Sequence, residues 1–291
     1  MDQAVVIVGT GRLAQALGRL FVELGVPLRA LAGRDRRKRE AAAAFVGGGV
    51  EAVSIGALPP ATHVVIAVSD SAIKSVAGEI AAGGVLPSVA VHTCGGREAT
   101  LLAELRQRDV ACGVMHPFQT AATPEEGLKA LRRCAWAVSG DEPARRWARK
   151  VLEPLAQVIL ELPVGAHALY HSAGVMASNF VVATIAAARD LLCQALLVSG
   201  EDALRALGPL AQAAVSNAIA LGPEAALTGP IQRGDADTVS AHLEALERAP
   251  AAIRELYRAA AFQTLELAAR KGLDPGAAAI LKEALRRPSR E

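Results

Sequence analysis

The chain has 291 residues, 52% of them hydrophobic and 21% charged, enough to bury a sizeable core in one or two domains. Its 31 basic and 29 acidic residues nearly cancel, leaving +2, so neither nucleic acid nor a membrane surface is an expected partner. Aromatic residues are only 3%, and Cys94, Cys112, Cys134 and Cys193 lack the paired short spacing of a zinc ribbon or a disulfide framework, so no metal site is expected and the thiols read as small buried hydrophobes.

The first element is a short apolar run, Ala4-Val5-Val6-Ile7-Val8, of the β-branched kind that forms a buried parallel strand. It leads straight into Gly9-Thr10-Gly11-Arg12-Leu13-Ala14, a Gly-x-Gly-x-x-Ala motif opening a helix. The first glycine permits a tight turn, the second lets backbone approach a pyrophosphate, and the small Ala14 lets the helix pack closely on the sheet. Phosphates would then sit on the free amides of the helix N-terminus, where the dipole favours negative charge. A second strand, Leu28–Ala32, ends at Gly33-Arg34-Asp35 and is followed by Arg36, Arg37, Lys38 and Arg39. In such folds an acid about 20 residues past the glycines selects NAD, and a nearby arginine the 2′-phosphate of NADP. Arg34 points to NADP because its planar fork donates two parallel hydrogen bonds to phosphate. Asp35 keeps NAD open, and a solvated basic helix start is the plain alternative.

Strand-like runs then alternate with helical stretches: Val64–Val68, Val89–His92 and Ala111–Met115, with helices over Ala72–Ala82 and Arg97–Arg106. Two later runs, Cys134–Val138 and Gln157–Leu162, flank a helix over Pro143–Leu152 and extend the sheet. After Pro163-Val164-Gly165 strand signals vanish and Ala/Leu-rich helical patterns run to the end, broken at Ser199-Gly200, Gly208-Pro209, Leu221-Gly222-Pro223 and Thr228-Gly229-Pro230. The expected architecture is an α/β dinucleotide-binding domain over residues 1–163, with a doubly wound, mostly parallel sheet, followed by an all-α domain over 164–291. Residues 286–291 read as a frayed tail. The apolar stretch Ser172–Ala188 is slightly short for a bilayer span and carries Ser178 and Asn179 in its middle. It reads as a central helix buried on all sides, at a dimer interface. Nothing at the N-terminus has the form of a charged leader with a cleavage site, and a reducing cytoplasm is the expected location.

In a doubly wound sheet, ligands bind beyond the carboxyl ends of the strands. Three polar stretches fall there: Ser69-Asp70-Ser71, His92-Thr93-Cys94-Gly95-Gly96 and His116-Pro117-Phe118-Gln119-Thr120. Singly each has a plain reading, as a helix cap (Asp70 or Ser71), a turn former (Thr93) or a loop histidine (His116). Together, at successive strand ends, they line a crevice for nicotinamide or substrate. In the second half, His167, His171 and Asn179 recur at spacings of four and eight, on one face of a helix that also carries Tyr170 and Ser178. His171 is a chemically reasonable proton donor to a carbonyl reduced by hydride, and a structural histidine–asparagine network is the alternative. In the loop before a later helix, Arg233 could clamp a substrate carboxylate, or Arg233 and Asp235 could cap helices.

Taken together, Gly9-Thr10-Gly11-Arg12-Leu13-Ala14, His92-Thr93-Cys94-Gly95, His116-Pro117-Phe118-Gln119-Thr120, Tyr170-His171 with Ala177-Ser178-Asn179, and Thr228-Gly229-Pro230 with Arg233-Gly234-Asp235 resemble one bacterial family. That family joins a Rossmann-like NADP-binding domain to a helical domain of unknown function 2520. It lies among the 6-phosphogluconate dehydrogenase-like reductases, near ketopantoate reductase and pyrroline-5-carboxylate reductase. The resemblance implies NADP, with NADPH preferred over NADH, a cleft between the domains, and a homodimer formed through the helical one. Matching Asn179 to the asparagine of ketopantoate reductases puts His171 where they carry a lysine, and Val175 where another polar residue is expected; a histidine supplies positive charge only when protonated. The expected function is NADPH-dependent reduction of a small carbonyl or imine acid. His171, Asn179, Ser178, Arg233, Asp235 and His116 form its catalytic set. Cofactor contacts come from Gly9 to Ala14, Gly33, Arg34, Val68, Ser69 and Thr93. A non-catalytic NADP-binding sensor or scaffold is the alternative.

Overall fold

The structure is a computed structural model that describes residues 4–287. The tail expected over 286–291 lies, from residue 288 on, outside the described residues. β1 (Val5–Val8) runs into α1 (Arg12–Glu23) and β2 (Leu28–Ala32) into α2 (Arg36–Val46). The short β3 (Glu51–Val53) precedes β4 (His63–Ile66), α3 (Ile73–Ala81), β5 (Val89–His92) and α4 (Ala103–Arg106). Next come β6 (Ala111–Pro117), α5 (Pro124–Leu131), β7 (Ala135–Gly140), α6 (Glu142–Leu152) and β8 (Val158–Glu161). The eight strands form one sheet in the order β3-β2-β1-β4-β5-β6-β7-β8. All neighbours are parallel except β6 and β7. The chain winds outward in both directions from β1 and β4, so the doubly wound, mostly parallel reading is what the structure has.

The reason lies in the alternation of apolar side chains along strands covered on both faces. Val5 and Ile7 join one core with Leu17, Leu20 and Phe21 of α1 and Trp147 and Leu152 of α6. Val6 and Val8 join the other with Ile73, Val76 and Ile80 of α3 and Leu105 of α4. Cys94, Cys112 and Cys134 are free and buried, with burial raising each thiol to about 11. β3 went unforeseen, because three residues offer no alternation to read. β7 reverses direction because the helix between it and β6 returns the chain at the end where β6 finishes, so no crossover separates them.

The chain packs as two compact units that divide between residues 178 and 179. Strands cease near residue 163, as expected from the sequence, but the next helix, α7 (His167–Ala177), packs with the first unit. The second unit is α8 (Asn179–Leu196), α9 (Gly200–Leu221), α10 (Pro223–Ala226), α11 (Ala236–Leu246), α12 (Ala251–Arg270) and α13 (Pro275–Arg286). Its core gathers Ile231, Val239, Leu265, Leu281 and Leu285. Two expectations need correction here. The break expected at Gly208-Pro209 is absent, because α9 carries Pro209 in its interior. A proline removes one intrahelical bond at a cost of about 3 kcal/mol, which the remaining turns of a 22-residue helix outweigh. The apolar segment after Ser172 is also not enclosed by its own chain. It belongs to a helical stretch, His167–Leu196, that is long and apolar enough to cross a membrane, yet none of its most apolar window is buried. Composition signalled burial, but the covering surface is not supplied within the unit.

Buried imidazoles tie stability to pH, and His63 is one of them. His63, at the start of β4, stacks on Trp147 with ring centres 4.6 Å apart, and burial first, then Lys150, pulls its pKa down to about 4. The unfolded imidazole titrates near 6.5, so between these values the unfolded chain binds the extra proton. Stability is therefore full above about pH 6.5 and falls as pH drops toward 4, by a few kcal/mol at most. Urea titrations across this range are expected to show the fall, and His63→Phe is expected to make it shallower, the remainder coming from the buried His92 and His116, whose pKa values burial also lowers.

Candidate functional site

The turn after β1 builds the first part of the site. Gly9 has φ +145°, and a Cβ there would lie 2.1 Å from the Ala67 carbonyl oxygen, so only glycine allows β1 to turn this close to the end of β4. Gly11 caps α1 with no side-chain hydrogen bond to the helix amides, and a Cβ on it would meet open space. The first-turn N–H groups thus face a cavity of about 460 Å³ without a protein acceptor from the cap. Thr10, Gly11, Arg12, Leu13, Val68, Ser69 and Thr93 line it, together with Ala67 and Ala121. Seven residues singled out in the sequence are therefore brought together. Ala67 and Ala121 were missed, since alanine carries no chemical signal.

At the end of β2, Gly33 comes so close to Thr10 that a Cβ would sit 2.6 Å from its methyl. The next residue, Arg34, leaves 60% of its side chain exposed and reaches Ser75 Oγ at 3.3 Å and Glu79 Oε2 at 3.4 Å. Asp35 is engaged otherwise: its carboxylate accepts the Lys38 N–H at 2.9 Å as the N-cap of α2. Arg39 holds the carbonyls of Gly33 and Arg34 at 3.3 Å each, fixing the backbone that presents Arg34.

The second part of the site is a cluster of rings around the end of β6 and the first turns of α7. His116 Nδ1 meets the Tyr170 hydroxyl at 2.9 Å, and the His116 and His171 rings lie 6.3 Å apart, edge to face. Phe118 lies against Tyr170 with centroids at 4.7 Å. Burial, then the neighbouring His171, pulls His116 down to about 4, so it is neutral at pH 7; burial raises the Tyr170 phenol well above its ordinary value. His171 is exposed. The turn after β5 connects the two parts. Thr93 lines the cavity. A Cβ on Gly95 would be 2.7 Å from the His116 ring, and one on Gly96 would be 3.4 Å from His171. His92 is turned inward and shapes that turn: its Nδ1 accepts from the Cys94 N–H, so its Nε2 donates to the Glu98 carbonyl.

Other expected residues have different surroundings. His167 does not share His171's setting: it is buried at the start of α7, bonded to Ser139 Oγ at 2.9 Å and the Gly95 carbonyl at 3.1 Å. The helical face expected to run from His167 through His171 to Asn179 is interrupted, because Ser178 leaves helical geometry at φ −126°, ψ −75° and ends α7. Ser178 Oγ donates to the Gly174 carbonyl at 2.6 Å. In the second unit Asn179 opens α8, Arg233 is exposed, and Asp235 caps α11 by accepting the Thr238 N–H at 3.0 Å. That hydrogen bonding, from the Thr238 hydroxyl above all, holds the Asp235 carboxyl below its ordinary value. Tyr170 and Phe118 were visible in the sequence without a role. Gly174, one turn after Tyr170, makes room for Phe118, where a Cβ would be 2.5 Å away, and the spacing in sequence gives no sign of that contact. Among the described residues no cluster of three His, Cys, Asp or Glu side chains could hold a metal ion.

Comparison with known proteins bears on this arrangement. Residues 134–264 match the model of the domain of unknown function DUF2520. No curated relative matches the chain. Among solved structures, a Thermotoga maritima protein is 23% identical with a TM-score of 0.74, over 92% of this chain and 99% of its own. A reductive aminase from Aspergillus terreus, in complex with NADPH and ethyl-5-oxohexanoate, is 17% identical with a TM-score of 0.65, over 97% and 99%. An imine reductase from Myxococcus stipitatus, in complex with NADP+, is 19% identical with a TM-score of 0.55, over 97% and 100%. At these identities the likeness is one of fold. The segment that matches DUF2520 takes in β7, α6, β8 and α7 as well as much of the helical unit, and the doubly wound sheet followed by a helical unit is the fold that these structures share.

Proposed function

We propose that the protein is an NADPH-dependent reductase of a small carbonyl or imine acid, ketopantoate reductase-like in its chemistry. The observation that carries this reading is the shared turn after β5: Thr93 lines the glycine-turn cavity while Gly95 and Gly96 pack on His116 and His171. A dinucleotide held by the one part would thus end beside titratable groups of the other. The free amides at the start of α1 suit a pyrophosphate, and Arg34, exposed at the end of β2, suits a 2′-phosphate while Asp35 is engaged as a cap. The cofactor supplies the hydride.

His171 is the proposed proton donor, being exposed beside the ring cluster, with a bound water as its substitute. His116, neutral above about pH 4, cannot serve as a cationic acid at pH 7; paired with Tyr170 it orients the cluster and is the next candidate. From the helical unit, Arg233 is assigned the substrate's carboxylate and Asn179 its carbonyl. Ser178 and Asp235 shape the ends of the helices that carry them.

The proposed assembly is a homodimer in the cytoplasm, formed through the helical unit. α8 and α9 expose Phe180, Val182, Leu210 and Ile219 by 54%, 68%, 69% and 82%. A second copy covers such a face better than lipid does, because Arg189 and Asp190 lie within α8 as an ion pair.

Side-by-side calorimetric titration with NADPH and NADH tests the cofactor reading. Arg34→Ala is expected to weaken NADPH about 10- to 100-fold and leave NADH nearly unchanged; equal losses would remove the 2′-phosphate role. Screening ketoacids and cyclic imines for NADPH oxidation tests the reaction, with tight binding and no turnover on any of them favouring the non-catalytic reading that the missing lysine suggests. His171→Ala is expected to lower kcat about 100-fold with NADPH affinity kept, and an unchanged kcat would move the proton donor to Tyr170 or His116. Light scattering is expected to give a two-chain mass that Val182→Asp with Ile219→Asp reduces to one chain.

A further inference from the structure

A second cavity, of about 510 Å³, lies apart from the glycine turn, and its lining includes Ser139, His167, Arg145, Leu162 and Val164. Ser139 Oγ and His167 Nε2 are 2.9 Å apart there. His167 Nδ1 lies 3.1 Å from the Gly95 carbonyl. A carbonyl can only accept, so Nδ1 carries the ring proton. In the neutral imidazole Nε2 is then the acceptor, and the Ser139 hydroxyl must donate to it. The pair therefore has the arrangement of a nucleophile, a base, and a third group that orients the base. Ser139 is 7% exposed and His167 3%, so neither side chain is free to leave that geometry. Arg145, on the same wall, is held by Glu142 at 3.0 Å and Glu161 at 3.8 Å.

We propose that Ser139 and His167 form a nucleophilic site for small carboxylic esters, separate from the dinucleotide cavity and independent of the reductase reading. Oγ adds to the acyl carbon while its proton passes to Nε2. Collapse of the adduct breaks the bond to the leaving oxygen, and Nε2 returns the proton to it, releasing an alcohol. Water then adds by the same route, giving a carboxylic acid and free serine. Leu162 and Val164 offer apolar surface for the acyl chain.

The test is labelling of the full chain by a fluorophosphonate probe, which loses fluoride to an activated serine, with peptide mapping by mass spectrometry. Label is expected on Ser139, absent in Ser139→Ala, and at least about 100-fold slower in His167→Gln. No label on Ser139 of the folded chain, or an unchanged rate in His167→Gln, overturns the proposal. Should His167→Gln fail to fold, the rate in the native chain decides. A rate that levels off between about pH 5 and 9 supports an imidazole base, and one that tracks hydroxide throughout overturns it. A stoichiometric burst of p-nitrophenolate from p-nitrophenyl acetate, lost in Ser139→Ala, extends the result to esters; labelling without that burst overturns the ester assignment.

Discussion

The sheet-bearing unit depends on how closely the turn after β1 approaches the end of β4. The contact between Gly9 and the Ala67 carbonyl leaves no room for a side chain. This contact determines where α1 begins, and so where its unbonded amides point. Ala14, whose methyl would lie 3.3 Å from a Cβ on Gly9, lets the helix settle against the same turn. Loosening it would move α1, the cavity before it, and the core formed by Leu17, Leu20 and Phe21 together.

A different balance operates at the ring cluster. Burial of His116 suppresses its charge, and burial of Tyr170 suppresses its ionisation, so the pair is held as two neutral groups sharing one hydrogen bond. Such a pair is inexpensive to enclose and still able to pass a proton, whereas an ionised partner would need compensation inside the unit. His171, next in sequence to Tyr170, is exposed. The helix thus places an enclosed and an exposed group side by side.

Much of this was legible in the residues. The strand–glycine turn–helix start, the basic end of β2 and the polar stretches at strand ends are local signals, and the cavity around Gly11 gathers seven of the residues they named. Less legible was anything that depends on partners distant in sequence. His167 and His171 share a helix and a spacing, yet one is drawn inward by Ser139 and Gly95 while the other stays out. Spacing alone cannot say which turn of a helix meets a hydroxyl 28 residues away. Asp35 read as a residue for a ribose, and its capping of α2 through the Lys38 N–H was not foreseen. Pro209 looked like a break because its local penalty is plain, while the helix around it is not.

The reversal between β6 and β7 has an evolutionary corollary. β5 supports β6 only as far as Val114, and beyond that Met115, His116 and Pro117 are braced by β7 alone, with His116 opposite Ala137. Trp136, fully buried and opposite Pro117, pins that pairing. Since side chains alternate from face to face, a slip of one position would turn His116 to the other side of the sheet. The segment between the two strands is tied down as well, because Leu131 of α5 enters the core, Gly127 closes on Ala16, and Ala121 lines the cavity. Insertions should therefore collect at the exposed turn of residues 132 and 133 long before any are tolerated in α5 or in the strands on either side.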